Sequence, residues 1–318
     1  MKYTAQGLDW LALGGALSKN KASYGFRRTG EALNLCFAPF KLKSVDVLYG
    51  LHSVEEALRA GSRSFDHVCV SRERQEHGAA QKLQRIVDLC RTKAVRLRFE
   101  NREQLTRMAQ TTAHQGVVAV VRERPLLALE DLMQPAPDGH APLLLALDGV
   151  EDPQNLGALL RSADGAGVDG VLLPERRSAP LSAVAVKTSA GASEHIRIAR
   201  VVNLVRALEQ LKEQNYWCVG LDERGTVDYD QHDWAGPSVV VLGREGEGLH
   251  DLVRKTCDHL VRIPMAGGVS SLNVSAAGAV VLYEAARQRR RRQSGAETAR
   301  GQSPAMSKKK KAKGLGSL

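Results

Sequence analysis

Three short stretches of this chain join turn-forming residues to polar side chains directly after an apolar run. The first is DGVEDPQNLGALLRSA, Asp148 to Ala163, in which the run Leu143 to Leu147 meets Asp152-Pro153 and Asn155 opens a helix bearing Arg161. Asn155 and Arg161 lie six positions apart, within two helical turns. Both could address one ligand at the carboxyl end of a strand, where open α/β sheets bind theirs. Read alone, Asn155 is equally a helix cap and Arg161 a solvated surface residue. The second stretch, VVVLGREGEG from Val239 to Gly248, places Gly243, Gly246 and Gly248 after a strand, where the backbone can approach a ligand closely. The spacing is that of neither common phosphate-binding glycine loop, and Glu245 and Glu247 would repel a phosphate. A nucleoside or an amino-acid-like cation suits the loop better. The third stretch, IPMAGGVSSLNVS from Ile263 to Ser275, leads through glycines to Ser270, Ser271, Asn273 and Ser275 at the mouth of the last helix, which Asn273 or Ser275 could simply cap.

The elements that must position these residues follow from hydrophobic periodicity. From Val45 onward, strands are expected at 45–49, 67–70, 95–99 and 116–121, and helices at 53–60, 79–91 and 102–110, a small α/β domain. Arg122 to Pro142 gathers Pro125, Pro135, Pro137 and Pro142 with Asp138-Gly139, the composition of a linker. Strands are then expected at 143–147, 170–173, 196–201, 216–221, 239–242 and 260–263, separated by helices. Their near-continuous apolar runs predict a parallel sheet buried on both faces. The last helix is expected from Val274 to Arg292, with Val274, Ala277, Val281 and Ala285 on one stripe. Arg287 and Arg289 to Arg292 complement its macrodipole and are expected to be solvated.

A length of 318 residues with 43% hydrophobic content fills a core in each of two domains, and a net charge of +10 suits a polyanionic partner. Arg59, Arg63, Arg72, Arg74, Arg122 and Arg124 are candidates for an RNA face on the first domain. His52, a lone histidine after a strand, reads first as a packing residue and second as a phosphate contact. Cys36, Cys69, Cys90, Cys218 and Cys257 are odd in number and scattered, which argues against a disulfide framework or a zinc site and fits a reducing cytosol. No apolar run approaches the roughly 18 residues of a membrane span. Met1 to Ser44 lacks the pattern of a secretory signal and reads as a poorly ordered extension, or else as an organelle transit peptide. Residues 293–318, with Lys308 to Lys311, are expected to form a disordered basic tail.

In this order, spacing and strand-to-loop context, the three stretches together resemble the motifs of the SpoU/TrmH family of trefoil-knotted RNA 2′-O-methyltransferases. The first domain resembles that family's ribosomal-L30e-like RNA-binding module, whose opening Y-G-x-H-x-V-x-x-A-L stands here as YGLHSVEEAL from Tyr49 to Leu58. The resemblance implies an α/β fold with a knotted methyltransferase domain over 143–292, a smaller L30e-like domain over 45–122, a linker over 123–142, and flanking segments 1–44 and 293–318. It implies S-adenosylmethionine as cofactor, no metal, a cytoplasmic location, and a homodimer whose contact includes the helix from Val274. The reaction it implies is methylation of a ribose 2′-hydroxyl, closest to the bacterial enzymes that act on one guanosine of 23S rRNA. A tRNA ribose is the alternative substrate, and a non-catalytic RNA-binding assembly protein the alternative class.

Family positions carried onto this chain place Gly243, Ile263 and Leu272 against the cofactor, with Leu221, Asp222 and Gly225 at the same pocket. Asn155, Arg161, Glu245, Ser271 and Asn273 fall on the catalytic or substrate side. Arg161 would stabilise the developing alkoxide, or act as base if an RNA phosphate took its proton, since a guanidinium normally stays protonated. Asn155 and Ser271 would orient Arg161 and the ribose, and Glu245 would fix the knot loops.

Overall fold

The chain alternates strand and helix from Val45 onward, as its periodicity predicts. The computed structural model describes residues 45–73, 77–134 and 139–301, so the expected N-terminal extension and most of the expected tail lie outside the described residues. Strand β1 (Val45–Tyr49), helix α1 (Leu51–Ala60), β2 (Phe65–Ser71), α2 (His77–Thr92), β3 (Leu97–Glu100), α3 (Arg102–Ala109) and β4 (Val117–Arg122) build a sheet of order β1-β4-β2-β3. β4 is antiparallel to β1 and β2, and β2 is parallel to β3. Alternate residues serve opposite faces: Leu48, Val117, Ala119 and Val121 pack with α1 and α2, while Tyr49, Cys69 and Val118 pack with Leu105 of α3.

After a short helix α4 (Leu129–Leu132) come β5 (Leu143–Leu147), α5 (Pro153–Ala166), β6 (Gly170–Pro174), α6 (Ala183–Thr188), α7 (Ala192–His195) and β7 (Ile198–Val201). The chain continues through α8 (Leu204–Glu213), β8 (Trp217–Leu221), β9 (Val227–Asp228), β10 (Ser238–Leu242), α9 (Asp251–Thr256), β11 (His259–Arg262) and α10 (Val274–Gly301). Their strands form one sheet of order β7-β6-β5-β10-β8-β11-β9 in which every pairing is parallel. All residues of β5 and β10 are buried. Leu143, Leu145 and Leu147 pack with α5 and α10 on one face, and Leu144 and Ala146 pack with α4 and α8 on the other. Burying one such leucine contributes about 1.5–3 kcal/mol, so β5 is anchored from both sides.

Several expectations are corrected. The expected linker is packed over its described residues 123–134: Leu127 donates to the Ile198 carbonyl and accepts from the Arg200 amide at the sheet edge, and Leu129 and Leu132 are buried. The prolines punctuate this stretch, but its leucines find the open edge of β7. The last helix runs past Arg292 to Gly301, because Ala296, Glu297 and Ala299 are good helix formers and no proline intervenes before Pro304. Arg289 is not solvated. Its guanidinium donates to the carbonyls of Ala141, Pro142, Trp234 and Gly236 and ties α10 to the starts of β5 and β10.

Arg63 and Arg124 also leave the expected RNA face. The Arg63 side chain is 1% exposed, with Nε 3.0 Å from both carboxylate oxygens of the wholly buried Glu194 and Nη1 3.1 Å from Asp46. Arg124 donates to the carbonyls of Ser193 and Ile196. Both arginines therefore dock the first sheet's domain onto the second, and Val186 of α6 enters the first domain's core. All described residues consequently belong to one compact unit. Arg59 pairs with Glu55 and Glu56, Arg72 donates to the Phe99 carbonyl, Arg122 is exposed, and Arg74 lies outside the described residues.

Candidate active site

Helix α5 begins at Asp152, whose carboxylate accepts from the amides of Gln154 and Asn155, each at 3.2 Å, ahead of Pro153 in the first helical position. Asp152 rather than Asn155 is thus the cap, which leaves the Asn155 side chain available. Its Nδ2 donates to Glu245 Oε2 at 3.1 Å, and its Oδ1 accepts from Asn273 Nδ2 at 3.0 Å. The same Asn273 Nδ2 donates to Glu245 Oε1 at 3.1 Å, so one residue from each sequence stretch closes a ring. Asn273 also caps α10, its Oδ1 accepting from the Ser275 amide at 2.9 Å and the Ser275 hydroxyl at 2.5 Å. Asn155 is buried, whereas Glu245 and Asn273 are open to solvent on one side.

The glycine loop is closed on itself, since Arg244 and Gly248 exchange both backbone hydrogen bonds at 2.9 Å. A Cβ on Gly243 would lie 2.2 Å from the Gly248 carbonyl carbon, so no other residue fits there without opening the loop. Arg244 spans Glu151 at 3.1 Å and Glu247 at 2.9 Å. The loop's far end is held by Asp148, which accepts from the His250 amide at 2.8 Å and from its Nδ1 at 2.9 Å. Arg177 Nη1 lies 3.3 Å from His250 Nε2 and can only donate, so the imidazole hydrogen sits on Nδ1. Sequence reasoning missed this pairing of strand end with loop end; its one visible signal was an aspartate directly after β5.

The glycine loop, the stretch from Ile263 and the end of β8 enclose one pocket, and five of the six residues expected on the cofactor side, Gly243, Ile263, Leu272, Leu221 and Asp222, line it. Leu242, Met265 and Val274 extend the apolar wall, and Asp222, Glu223, Glu245, Glu247 and Ser271 supply polar groups. Arg224 and Arg244 are the cations of the lining, and Arg244 is committed to two carboxylates. An apolar slot beside a tight backbone loop suits a flat nucleobase, and a surplus of carboxylates suits a cationic amino-acid end. These residues fit S-adenosylmethionine and would oppose a polyphosphate. Gly225 does not line the pocket; it backs onto the Val261–Arg262 backbone of β11.

Arg161 is not brought to this ring. Six residues turn an α-helix through about 600° and raise it by about 9 Å, so Arg161 leaves α5 on another side than Asn155. It opens onto a second cleft with His52, Glu56, His195 and Tyr283. There it is exposed and makes no hydrogen bond or ion pair to another described residue of the chain. Within one chain, therefore, neither Asn155 nor Ser271 orients it. His52 is exposed rather than packed, with Nε2 3.1 Å from Lys82 Nζ.

Residues 142–283 match the family model described as SpoU rRNA Methylase family, and residues 47–127 the one described as RNA 2'-O ribose methyltransferase substrate binding. The chain is 41% identical to the 23S rRNA (guanosine-2'-O-)-methyltransferase RlmB of Vibrio parahaemolyticus over 246 residues, 77% of this chain and 98% of that protein. To the protein of the same name from Shewanella oneidensis it is 39% identical over 249 residues, 78% of this chain and 100% of that protein. Among solved structures, the SpoU methyltransferase AviRb from Streptomyces viridochromogenes in complex with AdoMet is similar with a TM-score of 0.65 at 27% identity, covering 78% of this chain and 91% of that one. An AdoMet-bound rRNA methyltransferase from Sinorhizobium meliloti gives 0.64 at 27% identity, covering 76% and 87%.

Proposed function

Because the chain belongs to the SpoU rRNA methylase family, we propose that it methylates the ribose 2′-hydroxyl of a guanosine in 23S rRNA, the reaction for which its RlmB relatives are named. The observation that carries this reading is the Asn155–Glu245–Asn273 ring joined to a pocket whose walls suit S-adenosylmethionine. When bound, the cofactor supplies a methyl group made electrophilic by its sulfonium.

The rest falls to the chain. A ribose hydroxyl holds its proton far above neutral pH, so the protein must stabilise charge as it develops on that oxygen. Arg161 does this with the planar fork of its guanidinium, and the hydroxyl's proton passes to water or to a neighbouring RNA phosphate. Gly243, Ile263, Leu272 and Leu221 hold the cofactor by backbone and apolar contact, and Ser271 at the pocket lip positions the ribose. Asn155, Glu245 and Asn273 keep the three loops in register. We read this domain as carrying the family's trefoil knot, a reading supported by its match to the SpoU family and by its similarity to the AdoMet-bound SpoU methyltransferase.

A homodimer completes the reading. Arg161 stands apart from the pocket in its own chain, and Tyr283 of α10, 48% exposed, borders the same cleft as Arg161. A two-fold contact through α10 would carry the Arg161 of one subunit toward the pocket of its partner. The reading also puts the protein in the bacterial cytoplasm with its rRNA. No helix of the described residues is long and apolar enough to cross a membrane, and Cys69, Cys90, Cys218 and Cys257 are free thiols.

The test is to incubate 23S rRNA fragments and tRNA transcripts side by side with the protein and methyl-labelled cofactor, then map 2′-O-methyl positions. One modified guanosine in 23S rRNA is expected. Methylation of tRNA at equal rate would overturn the substrate, and methylation of neither would favour a non-catalytic RNA-binding protein.

A further inference from the structure

Helix α1 presents His52 to solvent while its neighbours Leu51, Ser53 and Val54 are buried, so this histidine of the YGLHSVEEAL stretch is aimed outward by the helix's own amphipathy. The Lys82 ammonium can only donate, which makes His52 Nε2 the acceptor of their 3.1 Å contact and leaves the ring hydrogen on Nδ1. No described residue accepts that hydrogen. Across the cleft stands Arg161, whose guanidinium donors are likewise unclaimed by any described residue.

The two walls are held at a fixed spacing. Gly191 lies so close to α1 that a Cβ there would come within 2.5 Å of the Glu56 Cβ, and the buried Arg63–Glu194 pair locks the two domains beside it. Two carboxylates border the cleft, Glu56 and Asp164. Glu56 is already engaged by Arg59 at 3.1 Å and by His195 at 3.2 Å. Asp164 is thus the one uncommitted carboxylate of the lining, set against the Arg161 guanidinium and the His52 N–H, with Lys82 behind the imidazole.

We propose that this cleft seats a backbone phosphate of the substrate RNA, gripped by Arg161 from the methylase domain and by His52, backed by Lys82, from the substrate domain. The proposal rests on the assignment of the chain as an RNA methyltransferase. A phosphodiester offers two acceptor oxygens and one negative charge. The guanidinium fork can take both oxygens, His52 Nδ1 adds a neutral donor, and Lys82 adds a point charge. A seat built from two domains works only if their spacing does not vary, which gives the locked interface a purpose beyond stability. The same phosphate would also hold the Arg161 fork still, so that RNA held by the substrate domain organises the residue that meets the ribose.

The test uses the full chain, the variants His52→Ala and Lys82→Ala, and 23S rRNA fragments with a single uncharged methylphosphonate linkage moved stepwise around the target guanosine. RNA binding is read by fluorescence anisotropy at several salt concentrations, and S-adenosylmethionine binding by calorimetry on the same preparations. Each variant should bind RNA roughly five- to tenfold more weakly, with cofactor affinity within twofold of wild type. Lys82→Ala should also flatten the salt dependence by about one released counterion, whereas His52→Ala should leave its slope alone. At one linkage, methylphosphonate should weaken wild-type binding by a similar factor and cost His52→Ala nothing further. RNA affinity within twofold of wild type for both variants, or penalties that add in full at every linkage, would overturn the seat. A wild-type protein that binds these fragments without methylating them would refute the assigned reaction instead, and the same binding data would still judge the seat.

Discussion

Asn273 donates from Nδ2 to the side-chain oxygen of Asn155 at 3.0 Å, across 118 positions of sequence, while its own Oδ1 caps α10. The two halves of this amide therefore do separate jobs. Asn273→Asp keeps an acceptor for the Ser275 amide but sets a carboxylate oxygen where Nδ2 now meets Glu245 Oε1 at 3.1 Å. Helix α10 should stay capped while the ring opens. A hydrogen bond to a charged group is worth about 1.5–3 kcal/mol, so single-turnover methylation should fall about 10- to 100-fold. The lost ring bonds should also lower the melting temperature by a few degrees, without the further loss that uncapping α10 would bring. A rate within threefold of wild type would remove the ring from the reaction.

The Arg63–Glu194 pair predicts a different pattern. Both side chains are essentially inaccessible, so removing Arg63 strands the Glu194 charge, and removing Glu194 leaves Arg63 only its contact with the partly exposed Asp46. Arg63→Met or Glu194→Leu alone should cost about 3–5 kcal/mol in denaturant unfolding. The double variant Arg63→Met/Glu194→Leu should recover most of it, although Asp46 then loses its own partner at 36% exposure. Additive losses would mean that the two residues do not act on each other and that each contributes through its other partners.

Acid should weaken the fold through its buried histidines. His114 is inaccessible, its Nδ1 accepting from the Gly116 amide at 3.1 Å and its Nε2 meeting the Thr106 hydroxyl at 3.1 Å. Burial first, and then Arg102, pushes its pKa below the ordinary 6.5, and burial lowers His232 likewise. Below about pH 6.5 the unfolded chain takes up protons at these sites that the folded chain refuses. Their stabilisation is thus complete above that pH and declines as pH falls from there toward the folded-state values. Urea unfolding should be flat from pH 7 to 8 and weaken from 6.5 to 5. In His114→Asn, whose Oδ1 can replace the Nδ1 acceptor, the decline should be shallower. An unchanged slope would exonerate His114.

How far the sequence reading reached follows from the physics of each signal. Strands such as LLLAL at 143–147 and SVVVL at 238–242 were legible because burial on both faces leaves an unbroken apolar run. β9, two residues at Val227–Asp228, carries no period at all. Asn155 and Asn273 stood out because they sit where strands give way to helices, but Asp148 and His250 did not, being 102 positions apart with no periodic relation. Arg63 and Arg124 look like surface arginines until Glu194 and the Ser193 and Ile196 carbonyls are known, and those partners come from the other domain. The divergence of Arg161 from Asn155, by contrast, was present in the helical spacing and could have been read from it.

That divergence leads to the sharpest expectation. Arg161 is exposed and unpaired among the described residues, so Arg161→Ala should leave melting and cofactor affinity nearly unchanged. Losing a charge-assisted contact made mainly in the transition state costs roughly 3–4 kcal/mol, so single-turnover methylation should fall about 100- to 1000-fold. Arg161→Lys should rescue little, because an ammonium lacks the planar fork. If one subunit's Arg161 serves its partner's pocket, inactive variants should also complement each other. Arg161→Ala retains an intact ring and Asn155→Ala retains an intact Arg161, so a mixed dimer holds one complete site. Equal amounts of the two, unfolded and reassembled together, give mixed dimers in about half the population, and about a quarter of wild-type activity should return. Activity no higher than that of the separate variants, with mixed dimers verified by differently tagged subunits, would place Arg161 and the ring in the same subunit's site or outside the reaction altogether.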